Sequence, residues 1–163
     1  MKIRLDQNLS PRTVAAIKAA LPNRAGYEVS YVGDEHPPGT SDPDWLRKFA
    51  SEDGTAIVSG DFRILKNFVE LVAYTETGLI SFFPPPAFEH LNGFGKVAFI
   101  VRWWPSIIDK IKVSATGERW RLPMQWEPSH TKMELLRDPR VAGKKVTPTS
   151  AEILKLELKK KAD

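Results

Sequence analysis

Four aspartates stand where carboxylates can act together. Asp6 follows the apolar run Ile3-Arg4-Leu5, and Asp61 follows Thr55–Ser59 and Gly60. Asp42 and Asp44 open the segment Asp42-Pro43-Asp44-Trp45-Leu46. Carboxylates that converge repel one another unless a cation joins them. Hard divalent ions take oxygen ligands, and Mg²⁺ characteristically uses one or two carboxylates together with water and substrate phosphate. Such an ion polarises a phosphoryl oxygen and makes bound water a better nucleophile. The competing reading of the same residues is helix capping, Asp42 for a helix beginning at Pro43 and Asp61 for one around Ile64. Asp6 does not fit that reading, because Ser10 already caps the helix that follows it.

Convergence depends on the elements around these residues. Ile3–Leu5 reads as a short strand. Ser10-Pro11 starts a helix carried by Val14, Ala15, Ile17 and Leu21 and stopped by Pro22-Asn23. Tyr27–Val32 alternates as a strand, and Gly33–Thr40 has loop composition. Ser41-Asp42-Pro43 opens a helix with Trp45, Leu46 and Phe49 on one face, ended by Asp53-Gly54. Thr55–Ser59 is a compact apolar run of the kind buried on both faces of a parallel sheet. A helix from Ile64 closes at Gly78, and Leu79–Phe83 is the next strand. Apolar residues from Phe94 to Ile111 predict a helix that Pro105 should kink or split. Trp120–Leu122 is a last short strand. Strands alternating with helices predict a parallel sheet covered on both faces. Open parallel sheets bind ligands at the carboxyl ends of their strands, which puts Asp6 and Asp61 on one edge; the placement of Asp42 and Asp44 there depends on where Gly33–Thr40 leaves the chain.

The α/β domain is expected over residues 1–122, with 123–163 as a basic C-terminal extension. Residues 1–122 carry 15 Lys/Arg against 14 Asp/Glu, and residues 123–163 carry 9 against 6. A nearly neutral body excludes nucleic-acid binding by bulk charge alone. Thr149–Glu152 matches a capping box, and Ile153–Leu158 with Lys159–Lys161 predicts a terminal helix. At 163 residues, 42% hydrophobic, the chain can bury a substantial core. The sequence contains no cysteine, which excludes disulfide scaffolds and thiolate chemistry. No apolar run approaches the ~20 residues of a membrane span, and the first residues lack a signal-peptide core, so a cytoplasmic protein is expected.

Other candidate residues keep two readings. Asn8 could orient Asp6 or a bound water, or serve as a turn residue. Ser59 could hydrogen-bond Asp61 or a scissile phosphate, or satisfy backbone. Arg63 and Lys66 could contact phosphate or form an exposed helix face. His36, His90 and His130 show no metal-ligand spacing and read as surface or loop residues. Trp103 and Trp104 read as core or partner surface. No Gly-rich phosphate loop, Ser-His-Asp set or HExxH is present.

The ordered set of blocks resembles a known family. MKIRLDQNLS at 1–10 followed by Pro11, Thr40–Leu46 with its Ser-Asp helix start, and AIVSGD at 56–61 are similar to the PIN-like nucleases. Phe62–Asn67 and Gly78–Phe83 look closest to the VapC-type toxin subgroup. The resemblance covers about residues 1–112. It implies a three-layer α/β/α sandwich with a mostly parallel central sheet and an extended C-terminal tail. It further implies a Mg²⁺- or Mn²⁺-dependent endoribonuclease, the toxin of a toxin–antitoxin pair, with RNA as substrate and a cognate antitoxin protein as partner. A homodimer is a further arrangement, and no membrane is involved. By position, Asp6, Asp42 and Asp61 become the metal-binding and catalytic carboxylates, with Asn8, Ser59 and Asp44 in support. Gln7 and Arg63 stand where relatives often carry acids, which implies one tightly held metal or a site completed by Asp44. The alternatives are a non-catalytic PIN-like binding module and a receiver-type phosphoacceptor domain.

Overall fold

A computed structural model of the chain describes residues 1–20, 26–37, 40–61 and 68–136, with the side chains of 68–70 outside the description. Among these residues the elements are β1 (Lys2–Leu5), α1 (Pro11–Ala20), β2 (Glu28–Tyr31), α2 (Val32–Glu35), α3 (Asp42–Ser51), β3 (Gly54–Val58), α4 (Phe68–Glu76), β4 (Ile80–Phe83), α5 (Gly93–Val113), β5 (Arg119–Arg121) and β6 (Glu134–Leu135). They form an α/β/α sandwich around one sheet of order β2-β1-β3-β4-β5-β6. Every pairing is parallel except β5 with β6. Among the described residues no helix is long and apolar enough to cross a membrane.

Alternation along the strands builds the two faces. Ile3 and Leu5, Val29 and Tyr31, Ala56 and Val58, and Ile80 and Phe82 point into one core, closed by Val14 and Ile17 of α1 and by the buried face of α5. Ile57 and Phe83 point into the other, closed by Val32, Trp45, Leu46, Phe49, Ala73 and Tyr74 from α2, α3 and α4. Arg4 points into this second side and is buried. Its cost is offset by an Nε donation to Ser30 Oγ (3.0 Å), ion pairs with Glu35 and Glu52, and the Phe49 ring 4.1 Å from its guanidinium carbon. Arg4 thereby ties α2 and the end of α3 to β1.

Three local expectations change. Gly33–Thr40 is not all loop: Val32–Glu35 forms a helical turn, because Val32 packs in the core. Gly33 is required there, since a Cβ would lie 2.5 Å from the Tyr31 ring. Of the two outcomes expected at Pro105, a kink or a split, the split does not occur, and α5 runs as one helix from Gly93 to Val113. A proline inside a helix costs about 3 kcal/mol. Seven buried side chains from Phe99 to Ile111, each contributing about 1.5–3 kcal/mol, outweigh it. The third is an addition, β6, a short strand within the expected extension. The proposed division at residue 122 falls between β5 and β6, which pair as Trp120↔Leu135 and Arg121↔Glu134. Met133 is buried in the core of α1 and α5, and Leu136 packs on the opposite core. The terminal helix expected after Thr149 lies outside the described residues.

Candidate active site

The sheet order reverses direction between β1 and β3: chain-adjacent strands run outward from β1 to β2 on one side and from β3 to β4 on the other. Such a switch point opens a crevice at the carboxyl ends of the strands. Leu5 pairs with Val58, so the next residues emerge side by side. Asp6 N–H continues the ladder to Val58 O at 2.9 Å, and Ser59 N–H continues it to Phe82 O at 3.0 Å. The shared edge expected for Asp6 and Asp61 is what the register produces.

Asp6 is fully buried. Its Oδ2 accepts from Ser59 Oγ at 2.6 Å and from Asn8 Nδ2 at 2.9 Å. Its Oδ1, equally buried, has no hydrogen-bond partner among the described residues. Burial raises the Asp6 pKa above the ordinary 3.8; the Ser59 and Asn8 hydrogen bonds oppose the rise, the Asp42 charge adds to it, and the nearby Gln7 backbone N–H opposes it to a smaller extent. Buried polar oxygens are seldom left unpaired. A buried carboxylate with one oxygen clamped and the other free, beside a second negative group, is the donor chemistry a divalent cation accepts.

Ser59 joins Asp6 to Asp61. Its hydroxyl donates to Asp6 and accepts from the Asp61 backbone N–H at 3.2 Å. Gly60 lets the two loops approach, since a Cβ there would lie 3.2 Å from Leu9 Cδ2 and 3.3 Å from Asn8 O. Asp42 is the first residue of α3, while Ser41 holds the N-cap position, so the capping reading of Asp42 is corrected. Its Oδ1 accepts from the Trp45 indole N–H at 2.9 Å. Trp45 is fully buried, so this bond fixes the Asp42 side chain from its own helix. Asp44 is exposed and engages the Ser41 hydroxyl.

The structure therefore links Asp6, Asn8, Ser59 and Asp61 by hydrogen bonds and sets Asp42 within electrostatic reach of Asp6. Among the described residues no three His, Asp or Glu side chains are gathered closely enough to hold an ion. Arg63, Lys66 and the capping of Ile64 by Asp61 lie outside the described residues.

Two contributors were not anticipated. Tyr31 donates its hydroxyl to Gln7 O at 3.2 Å, bracing the turn that carries Asn8. Its phenol pKa is raised by burial and by the charges of Asp6 and Asp34, which places exposed Asp34 of α2 near the same edge. Tyr31 pairs with Leu5, so the strand alternation held a usable signal for it. Asp34 had none, because α2 itself was unanticipated.

Asp42→Asn is expected to cost more activity than Asp44→Asn, because Asp42 acts on Asp6 and Asp44 engages its own cap. Each should change stability by no more than about 1 kcal/mol, the scale of a cap interaction. Parallel cleavage assays and melts of the two variants check this; the reverse ranking would assign the supporting carboxylate to Asp44.

A family model described as PIN-like domain matches residues 1–85, a span that contains Asp6, Asn8, Asp42, Ser59 and Asp61. The observed strand order also occurs in receiver-type domains, so it is the family match that separates those two readings. No curated protein matches the chain, and no solved structure does.

Proposed function

We propose that this chain, which belongs to the PIN-like domain family, is a divalent-metal-dependent endoribonuclease of the VapC-type toxin subgroup, acting in the cytoplasm. Domains of this family are generally nucleases that use divalent metals. The observation that carries the reading is the buried Asp6 at the switch point, with Oδ2 clamped and Oδ1 free. Asp6, Asp42 and Asp61 would hold Mg²⁺ or Mn²⁺. When bound, the ion supplies Lewis-acid polarisation of the phosphoryl group and a more acidic water.

The chain's own residues set the stage for that chemistry. Ser59 and Asn8 fix the Asp6 carboxylate so that its free oxygen keeps one direction. Trp45 holds one oxygen of Asp42, leaving the other for the site. Gly60 keeps the β1–α1 and β3–α4 loops close enough for the Ser59 hydroxyl to bridge them. The proposed partners are an RNA substrate and a cognate antitoxin that masks the acidic edge; self-association as a homodimer is compatible with both.

The test is cleavage of single-stranded RNA by the full chain with Mg²⁺ or Mn²⁺, and again in excess EDTA. Metal-dependent cleavage is expected; undiminished activity in EDTA would overturn the reading. A second reading, a non-catalytic PIN-like module, is favoured by one observation, that no three acids are gathered among the described residues. It expects no cleavage under either condition.

A further inference from the structure

We propose that Trp126, stacked on Arg102 of α5, is a base-stacking platform for single-stranded RNA leading to the acidic edge; the substrate class rests on the ribonuclease reading. Trp126 is 82% exposed. The guanidinium carbon of Arg102 lies 3.4 Å from its ring centroid, so one face of the indole is covered by a cation and held in place. The other face is available to a planar group. An exposed aromatic ring backed by arginine suits a nucleobase, whose π-face stacks on it while the cation attracts the adjoining phosphate.

The surroundings continue this chemistry toward the site. Trp126 and Arg102 line a groove of about 490 Å³ with Leu91, Phe99 and Met124. At the first turn of α5 lies a second cavity of about 270 Å³, lined by Lys96 together with Gln7, Asn8 and Ser10, the Lys96 ammonium lying 5.6 Å from the centre of the Phe88 ring. Asn8 is the residue that clamps Asp6. The two cavities lie along the N-terminal half of α5, and their cations, Lys96 and Arg102, are six residues apart, about 9 Å along the axis or nearly two turns, and leave different faces of the helix. A strand whose scissile phosphate lies at Asp6 would pass Lys96 before a flanking base reaches Trp126. An apolar side chain of a protein partner would also fill the groove. The stacked guanidinium and the continuity with the acidic edge favour the nucleotide.

The test uses the full chain in EDTA, where cleavage is suppressed, and a short fluorescein-labelled oligoadenylate as probe, read by anisotropy. Wild type should bind the single strand more tightly than the same strand in a duplex. Trp126→Ala should weaken binding about tenfold, the loss of one base stack, whereas Trp126→Phe should stay within about threefold. Because the indole is exposed, melts of both variants should match wild type. Absence of wild-type binding, equal losses in the two variants, or no loss in Trp126→Ala would each overturn the proposal. Loss of a protein partner's binding by Trp126→Ala with RNA binding unchanged would also overturn it. The Mg²⁺ assay keeps the two readings apart. Ring-dependent binding without cleavage removes the nuclease and leaves the platform. Cleavage with ring-independent binding does the reverse.

Discussion

Asp6→Asn is expected to abolish divalent-dependent RNA cleavage and, in the same preparation, to raise the stability of the metal-free protein. The two effects have one cause. Asp6 is fully buried and its Oδ1 is unpaired, so the ionised form is held at a cost that Ser59, Asn8 and the Gln7 backbone N–H offset only in part and that a cation would relieve further. Asn keeps an oxygen to accept from Ser59 and Asn8 but carries no charge. Activity should fall by at least about 100-fold, beyond the 10–100-fold typical of residues that merely support a ligand. Stability without metal should rise by about 1–2 kcal/mol, the cost of the buried charge less that of the Asn amide N–H group that takes the unpaired position. The pH dependence has a fixed sign. The Asp6 pKa is raised in the folded state, so the wild-type fold is favoured below the ordinary value of 3.8 and loses that advantage as pH rises through the folded pKa. The gap between variant and wild type should therefore be absent in acid and full at neutral pH. Added Mg²⁺ should stabilise wild type by about 2.7 kcal/mol at a hundredfold excess over its Kd and leave the variant unmoved. Melts across pH with and without Mg²⁺, alongside RNA cleavage, measure all of this. Full activity in Asp6→Asn, or a variant less stable than wild type at neutral pH, would remove Asp6 from the proposed metal site.

Much of this site is legible in the sequence because sheet position is written locally. Thr55–Ser59 suits a strand buried on both faces, and Ile3-Arg4-Leu5 reads as a strand able to pair beside it. Once both were strands of a parallel sheet, the polar residues after them had to emerge on one edge. Asn8 and Ser59 followed as neighbours of those positions. What stayed hidden depends on contacts distant in the chain. Arg4 looks like the polar residue of a half-exposed strand, yet it is buried because Glu35, Glu52 and Phe49 arrive from two other elements. The α2 turn has loop composition and exists because Val32 finds a core. Pro105 carries a strong local signal that a helix should break, and the sum of buried α5 side chains overrides it. Trp126 gave no sign of Arg102, which lies in a helix 24 residues earlier in the sequence.

Two truncations should separate the part of the C-terminal region that completes the fold from the part that does not. The β6 strand is only two residues long, yet Leu136 N–H reaches Arg119 O at 2.8 Å beyond it, and Met133 is buried between them and α5. A chain ending at residue 122 loses this cover. It exposes the outer edge of β5, opens the core where Met133 sat, and strips Leu136 from the opposite core. Met133 alone accounts for about 1.5–3 kcal/mol of apolar burial; with the lost edge pairing, the total should come near 3 kcal/mol. At about 2–4 °C per kcal/mol for a chain of this size, the melting temperature should fall by about 6–12 °C. The unpaired β5 edge should also promote association. A chain ending at residue 136 keeps all of these contacts and should unfold as cooperatively as the full chain. We propose that the basic extension 123–163 binds a protein partner; on this outcome that role falls to residues 137–163, with Ile153–Leu158 and the terminal lysines, and their removal should weaken partner binding without lowering the melting temperature. Equal melting of both truncations would support the boundary expected at residue 122. Equal destabilisation of both would show that residues 137–163 belong to the folded body, and the partner-binding proposal for them would lose its basis.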